Sequence, residues 1–163
     1  MKILVFLHGT TIMHASAVGQ TRAQRVQQVL DHDPSARDFA SYVPTEAAVT
    51  KLRGWAAQGA HILYLSSHRK DAFVELDRSV LRAFGFPDGD VLHRGAAGTH
   101  AGIVEEVMPD ILIEDDCESF GGQKNMAFPN LRPELQSQVK SIIVPEFGGL
   151  EHLPDDLPAL SRV

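Results

Sequence analysis

Cysteine is almost absent: Cys117 is the one thiol in 163 residues. A disulfide framework is therefore excluded, and a reducing, cytoplasmic setting is the expectation. Long apolar runs are absent too. None approaches the ~18 residues a bilayer span needs, and the mean hydropathy is −0.09, so no membrane partner is expected. Cationic excess is also missing, since 15 Lys and Arg stand against 21 Asp and Glu for a net charge of −6. A non-specific nucleic-acid binder wants the opposite sign on its contact face. Nucleic acid is thus not an expected partner, although a small local cationic pocket is still allowed.

What is present is enough apolar side chain, 44% of the residues, to bury one core without staples. The length suits a single domain, taken as residues 1–163. The opening stretch Met1-Lys2-Ile3-Leu4-Val5-Phe6-Leu7 stops at His8 with no small-residue cleavage site. It reads as a buried strand rather than a signal peptide. Similar runs lie at residues 62–65, 111–113 and 142–144. All four are continuous rather than alternating, as suits strands covered on both faces of a parallel sheet.

Between them lie segments of helical period. Residues 46–58 carry Ala47, Val49, Leu52, Trp55 and Ala56, with Thr45 as the expected cap and Gly59 as the stop. Residues 71–84 end at Gly85, and 99–108 end at Pro109. Alternating strand and helix predicts a three-layer, Rossmann-like α/β fold with a mostly parallel sheet. Residues 13–45 hold one helical stretch near 21–30 and a polar segment, and read as a small insertion after the first strand. Residues 146–163 read as an irregular tail.

In an open α/β sheet, ligands bind beyond the carboxyl ends of the strands. His8-Gly9-Thr10 follows the first run, Ser66-Ser67-His68-Arg69 the second, and Glu114-Asp115-Asp116 the third. Three adjacent carboxylates repel one another unless a cation or hydrogen-bond donors sit among them. Hard oxygen ligands suit Mg²⁺, so Glu114, Asp115 and Asp116 are the candidate metal residues. A solvated acidic loop is the competing reading. Hydroxyls at a strand-to-helix turn can hold a phosphate, helped by the helix N-terminus and a basic side chain. Thr10, Ser66, Ser67 and Arg69 are therefore candidate phosphate contacts, with helix capping as the alternative for the serines. His8 is the candidate base or nucleophile, with a structural histidine as the alternative. Carboxylate neighbours should raise the Cys117 thiol pKa, which argues for a structural thiol.

The order of these motifs resembles the haloacid dehalogenase-like (HAD) superfamily of hydrolases. Ile62-Leu63-Tyr64-Leu65-Ser66-Ser67 looks like the family's second motif, an apolar strand ending in Ser or Thr. Pro109-Asp110-Ile111-Leu112-Ile113-Glu114-Asp115-Asp116 looks like the fourth, a strand ending in paired acids. The resemblance implies Mg²⁺ and a phosphorylated small molecule as ligand. It breaks at the first motif, Asp-x-Asp-Gly-Thr. With His8-Gly9-Thr10 set on Asp-Gly-Thr, Phe6 stands at the nucleophilic Asp and His8 at the acid/base Asp. No register supplies a carboxylate. The third-motif Lys is missing as well, with Thr99 or His100 in its neighbourhood. The expected function is therefore binding of a small phosphorylated ligand, with aspartyl-phosphate chemistry absent or very weak. Two alternatives stand beside it: a hydrolase with altered chemistry that uses His8, and a non-catalytic protein-interaction module.

Overall fold

The structure is a computed structural model that describes residues 1–163. Seven strands form in chain order: β1 (Lys2–Phe6), β2 (Ile12–Met13), β3 (Val43–Pro44), β4 (His61–Ser66), β5 (Val91–His93), β6 (Ile111–Asp115) and β7 (Lys140–Val144). The helices are α1 (Arg22–Leu30), α2 (Ala48–Ala57), α3 (Asp71–Phe84), α4 (His100–Val107) and the single turns α5 (Pro133–Gln136) and α6 (Leu157–Leu160). Five strands make one sheet in the order β5-β4-β1-β6-β7, and every pair in it is parallel. The four apolar runs are β1, β4, β6 and β7. The fifth strand, β5, is three residues long and lies at the sheet edge, too short to leave a periodic signature. β2 and β3 pair antiparallel in a separate ribbon.

The continuous apolar strands follow from burial on both faces. Ile3, Val5, Ile62, Tyr64, Ile111 and Ile113 face one core with Leu52 and Trp55 of α2 and Val74, Val80 and Leu81 of α3. Leu4, Phe6, Leu63, Leu65 and Leu112 face the other, with Ala101 and Val104 of α4 and Leu131. This gives the helix–sheet–helix layering of an α/β fold.

Helix ends follow local chemistry. Thr21 caps α1 in a reciprocal capping box with Gln24. The Thr99 hydroxyl accepts from Gly102 N–H at the start of α4, and α3 ends at Gly85, which is left-handed at φ 67°. Thr45 does not cap α2, contrary to expectation. Its hydroxyl donates to the Thr10 carbonyl at 2.8 Å, and α2 starts at Ala48 behind a left-handed Ala47. A tertiary hydrogen bond has taken the hydroxyl away from the helix.

Residues 13–45 hold β2, α1, β3 and three 3-10 turns. The buried Arg25 ties α1 to the chain beyond β7, donating to the Phe147 carbonyl at 2.8 Å and pairing with Glu46. Residues 146–163, read as an irregular tail, contribute to the core and end in the short helix α6. Leu150, Leu153, Leu157 and Leu160 enter the larger core, Trp55 Nε1 donates to the Pro154 carbonyl at 2.9 Å, and Lys51 Nζ pairs with Asp155 at 2.6 Å. No helix is long and apolar enough to cross a membrane.

Candidate functional site

Because the sheet is parallel, all five strands deliver their C-terminal residues to one edge. A cavity of about 720 Å³ opens there. Phe6 and His8 come from the end of β1, Ser67 and His68 from β4, Arg94 from β5, Asp115 from β6 and Glu146 from β7. Residues 29–42 supply one wall, including Arg37, Phe39 and Tyr42.

The acidic side is built on β6 and β7. Asp115, Asp116 and Glu146 each bring a carboxylate oxygen within 4.8 Å of the others. Thr10 Oγ1 donates to Asp115 Oδ2 at 2.7 Å, and Cys117 N–H donates to Asp115 Oδ1 at 2.9 Å. Asp116 accepts from Glu146 N–H at 3.0 Å. Ser119 gives Glu146 both its N–H, at 2.7 Å, and its hydroxyl, at 2.6 Å. Burial pushes Asp115 above the usual carboxylate range despite these donors. Glu146 rises to about 7 by burial, reinforced by Asp115 and Asp116. Arg22 answers part of this charge through Glu118 at 2.5 Å and Asp116 at 3.4 Å. Gly9 makes the packing possible. It is left-handed at φ 84°, and a Cβ there would lie 2.8 Å from Asp115 Oδ2.

Glu114, expected with the other two acids, is placed elsewhere. It shares its face of β6 with Leu112, and its carboxylate accepts from Ala127 and Phe128 N–H groups at 2.6 and 2.8 Å. Burial raises it to about 7. Side chains alternate across a strand, so three consecutive acids cannot share one face. Glu146 completes the acidic group in its place.

The phosphate candidates also divide. Ser67 lines the cavity, and its hydroxyl lies 2.8 Å from His8 Nδ1. Ser66 is fully buried and donates to Asp77 Oδ2 of α3 at 2.5 Å. Thr10 is likewise buried, committed to Asp115. Arg69 reaches the Ala96 carbonyl at 2.6 Å and does not line the cavity. Cys117 is raised well above a free thiol by burial, then by Asp115, Glu114 and Glu146.

The cationic side of the cavity instead holds Arg94 and His100. Arg94 has no acidic partner, and its buried Nε has no acceptor. The buried Nε2 of His100 is also without a partner. Burial, with Arg94, Arg69 and His8 nearby, holds His100 down at about 4. Sequence reasoning missed Arg94 because β5 is too short to mark a strand end. His100 stood only as a filler for a missing lysine. Asp77 was missed too, although an acid in register with Val74, Val80 and Leu81 on one helix face is a signal of a buried polar group.

No protein-family model and no curated protein matches the chain. Among solved structures, the fold is similar to that of a HAD family hydrolase from Deinococcus radiodurans R1, which holds bound phosphate and sodium. The two share 14% sequence identity at a TM-score of 0.54, over 99% of this chain and 86% of that one.

Proposed function

On this HAD-like α/β fold, we propose that the chain binds a small phosphorylated molecule in the cavity at the carboxyl edge of the sheet. The observation that carries the reading is the pair of unpartnered buried nitrogens, Arg94 Nε and His100 Nε2, on the cavity wall. Arg94 is only partly buried, but a buried N–H left without an acceptor is costly. An anion removes that cost and restores a protonated, donating His100. Ser67 adds a hydroxyl on the same side. The phosphate in the Deinococcus structure is in keeping with this choice of anion.

Asp115, Asp116 and Glu146 fit a hard divalent cation by donor type, being three carboxylates crowded together with two of them disfavoured as anions. Mg²⁺ held there would offset their repulsion and the charge of a phosphate opposite. Phe6 at the end of β1 offers neither nucleophile nor ligand, so the reading is binding without an aspartyl-phosphate intermediate.

Thermal shift and calorimetry with inorganic phosphate and glycerol phosphate test this, on wild type, Arg94→Gln and His100→Gln. Stabilisation of wild type that both substitutions weaken supports the proposal. The absence of any response in folded wild type overturns it.

A further inference from the structure

Behind the His8 wall of the cavity, three atoms converge that the phosphate reading does not use. They are His8 Nε2, His68 Nε2 and Asp77 Oδ1, and each of these residues brings a ligand atom within 4.8 Å of the other two. Asp77 Oδ1 lies 3.1 Å from His8 Nε2 and 3.8 Å from His68 Nε2. All three atoms are buried, and none has a hydrogen-bond partner. The Asp77 side chain is 1% exposed.

We propose that His8, His68 and Asp77 form a binding site for a divalent transition metal of the zinc type. The argument starts from what two imidazoles can offer a single carboxylate oxygen. If both Nε2 atoms carried hydrogens, Asp77 Oδ1 would be expected to accept from them, yet neither ring is aligned to donate. If both carry lone pairs, three lone pairs face each other away from water. A cation among them satisfies all three at once. Two imidazole nitrogens and one carboxylate oxygen are the donor set of many zinc and iron sites. Mg²⁺ prefers oxygen ligands and would favour the acid group across the cavity.

The surroundings hold the three ligands in place. His8 Nδ1 faces Ser67, with the hydroxyl at 2.8 Å and the N–H at 3.5 Å; metal at Nε2 requires the ring hydrogen on Nδ1, donating to that hydroxyl. Ser66 Oγ donates to Asp77 Oδ2 at 2.5 Å and accepts from His68 N–H at 3.1 Å. One buried hydroxyl therefore positions two of the ligands. Aromatic rings close the site: Phe39 lies 4.3 Å and Phe73 5.3 Å from the His68 ring, and Tyr42 lies 5.5 Å from His8, between centroids. Such walls keep water away from the three ligand atoms. The site would pin the ends of β1 and β4 to α3 beside the cavity.

The test uses full-length protein stripped with a chelator and titrated with Zn²⁺ in excess Mg²⁺, then with Co²⁺ to read the visible absorption of its ligand field. His68→Phe is the main variant, because Phe39 and Phe73 already surround that ring with aromatic carbon. Asp77→Asn is the second, and His61→Ala on the surface controls for adventitious zinc. The expected result is one Zn²⁺ per wild-type or His61→Ala chain with a rise in Tm. His68→Phe and Asp77→Asn should each weaken uptake on the order of 100-fold or more. No Zn²⁺ uptake by folded wild type, or uptake that His68→Phe leaves unchanged, would overturn the assignment. Neither outcome bears on phosphate binding, which is read through Arg94 and His100.

Discussion

Phe6 and His100 meet edge to face, with ring centroids 5.1 Å apart and planes at 87°. The contact sets an apolar ring at the end of β1 against a cavity-lining imidazole. An attacking carboxylate at Phe6 would split phosphoryl transfer into two easier steps. Mg²⁺-dependent hydrolysis of generic phosphate esters is therefore expected to be absent or several orders of magnitude below that of an aspartate-based enzyme. The check is a turnover assay on clean protein. Robust hydrolysis that Asp115→Asn abolishes would show this expectation to be wrong.

Gly9→Ala should cost roughly 1–3 kcal/mol of unfolding free energy. Two effects add: a left-handed φ of 84°, and a Cβ placed 2.8 Å from Asp115 Oδ2. Urea denaturation measures the loss. Gly19→Ala is the comparison, since its φ is 76° but no atom lies within 4 Å of a Cβ there. The difference between the two variants isolates the close approach to Asp115.

Ser66→Ala is expected to lower stability while leaving phosphate affinity unchanged. Ser66 Oγ is fully buried and committed to Asp77, and removing it strips a donor from a buried carboxylate, a loss of about 1–3 kcal/mol. Ser67→Ala should show the reverse order of effects, because Ser67 lines the cavity. Parallel denaturation and calorimetry decide. Loss of phosphate binding in Ser66→Ala alone would contradict the geometry.

The alternation of Ser66 and Ser67 shows how far the sequence was legible. Four of the five sheet strands could be read because burial on both faces makes them continuously apolar, and α3 and α4 because Gly85 and Pro109 mark their ends. The carboxyl-edge location of the cavity follows from parallel strands alone. Which side chain faces the cavity does not follow from position after a run. It depends on strand parity, which turns Ser66 toward α3 and Glu114 toward Ala127. Arg94, His100 and Asp77 depend on a three-residue edge strand and on helix packing, and these are set by tertiary contacts.

Acid should destabilise the fold through His100. Its ordinary value of 6.5 falls to about 4 in the folded state, through burial first and then Arg94, Arg69 and His8. Between those values the unfolded chain binds the extra proton, so stability rises with pH across this window. The contribution is present above pH 6.5 and is lost as pH falls toward 4. Replacing His100 with Phe, which keeps a ring against Phe6, should flatten the slope of unfolding free energy between those limits. Saturating phosphate should flatten it as well, by raising the folded-state value. An unchanged slope in His100→Phe would assign the acid sensitivity to other groups.

Glu114→Gln and Glu146→Gln should separate the acids adjacent in sequence from those assembled in space. Glu114 accepts two backbone N–H groups at 2.6 and 2.8 Å. A glutamine can offer one oxygen, but its amide nitrogen would then face the second N–H. A loss of about 1–3 kcal/mol follows, with Mg²⁺ affinity retained. Glu146 sits with Asp115 and Asp116, so Glu146→Gln should weaken Mg²⁺ binding. The loss of one carboxylate from a crowded set also relieves repulsion, so its stability without metal should fall less than that of Glu114→Gln. The Ser119 donors moderate this, since they satisfy the carboxylate of Glu146. Calorimetric Mg²⁺ titration of both variants, alongside their denaturation curves, reads the two effects independently. Weakened Mg²⁺ binding in Glu114→Gln with none in Glu146→Gln would return the metal role to the consecutive triplet.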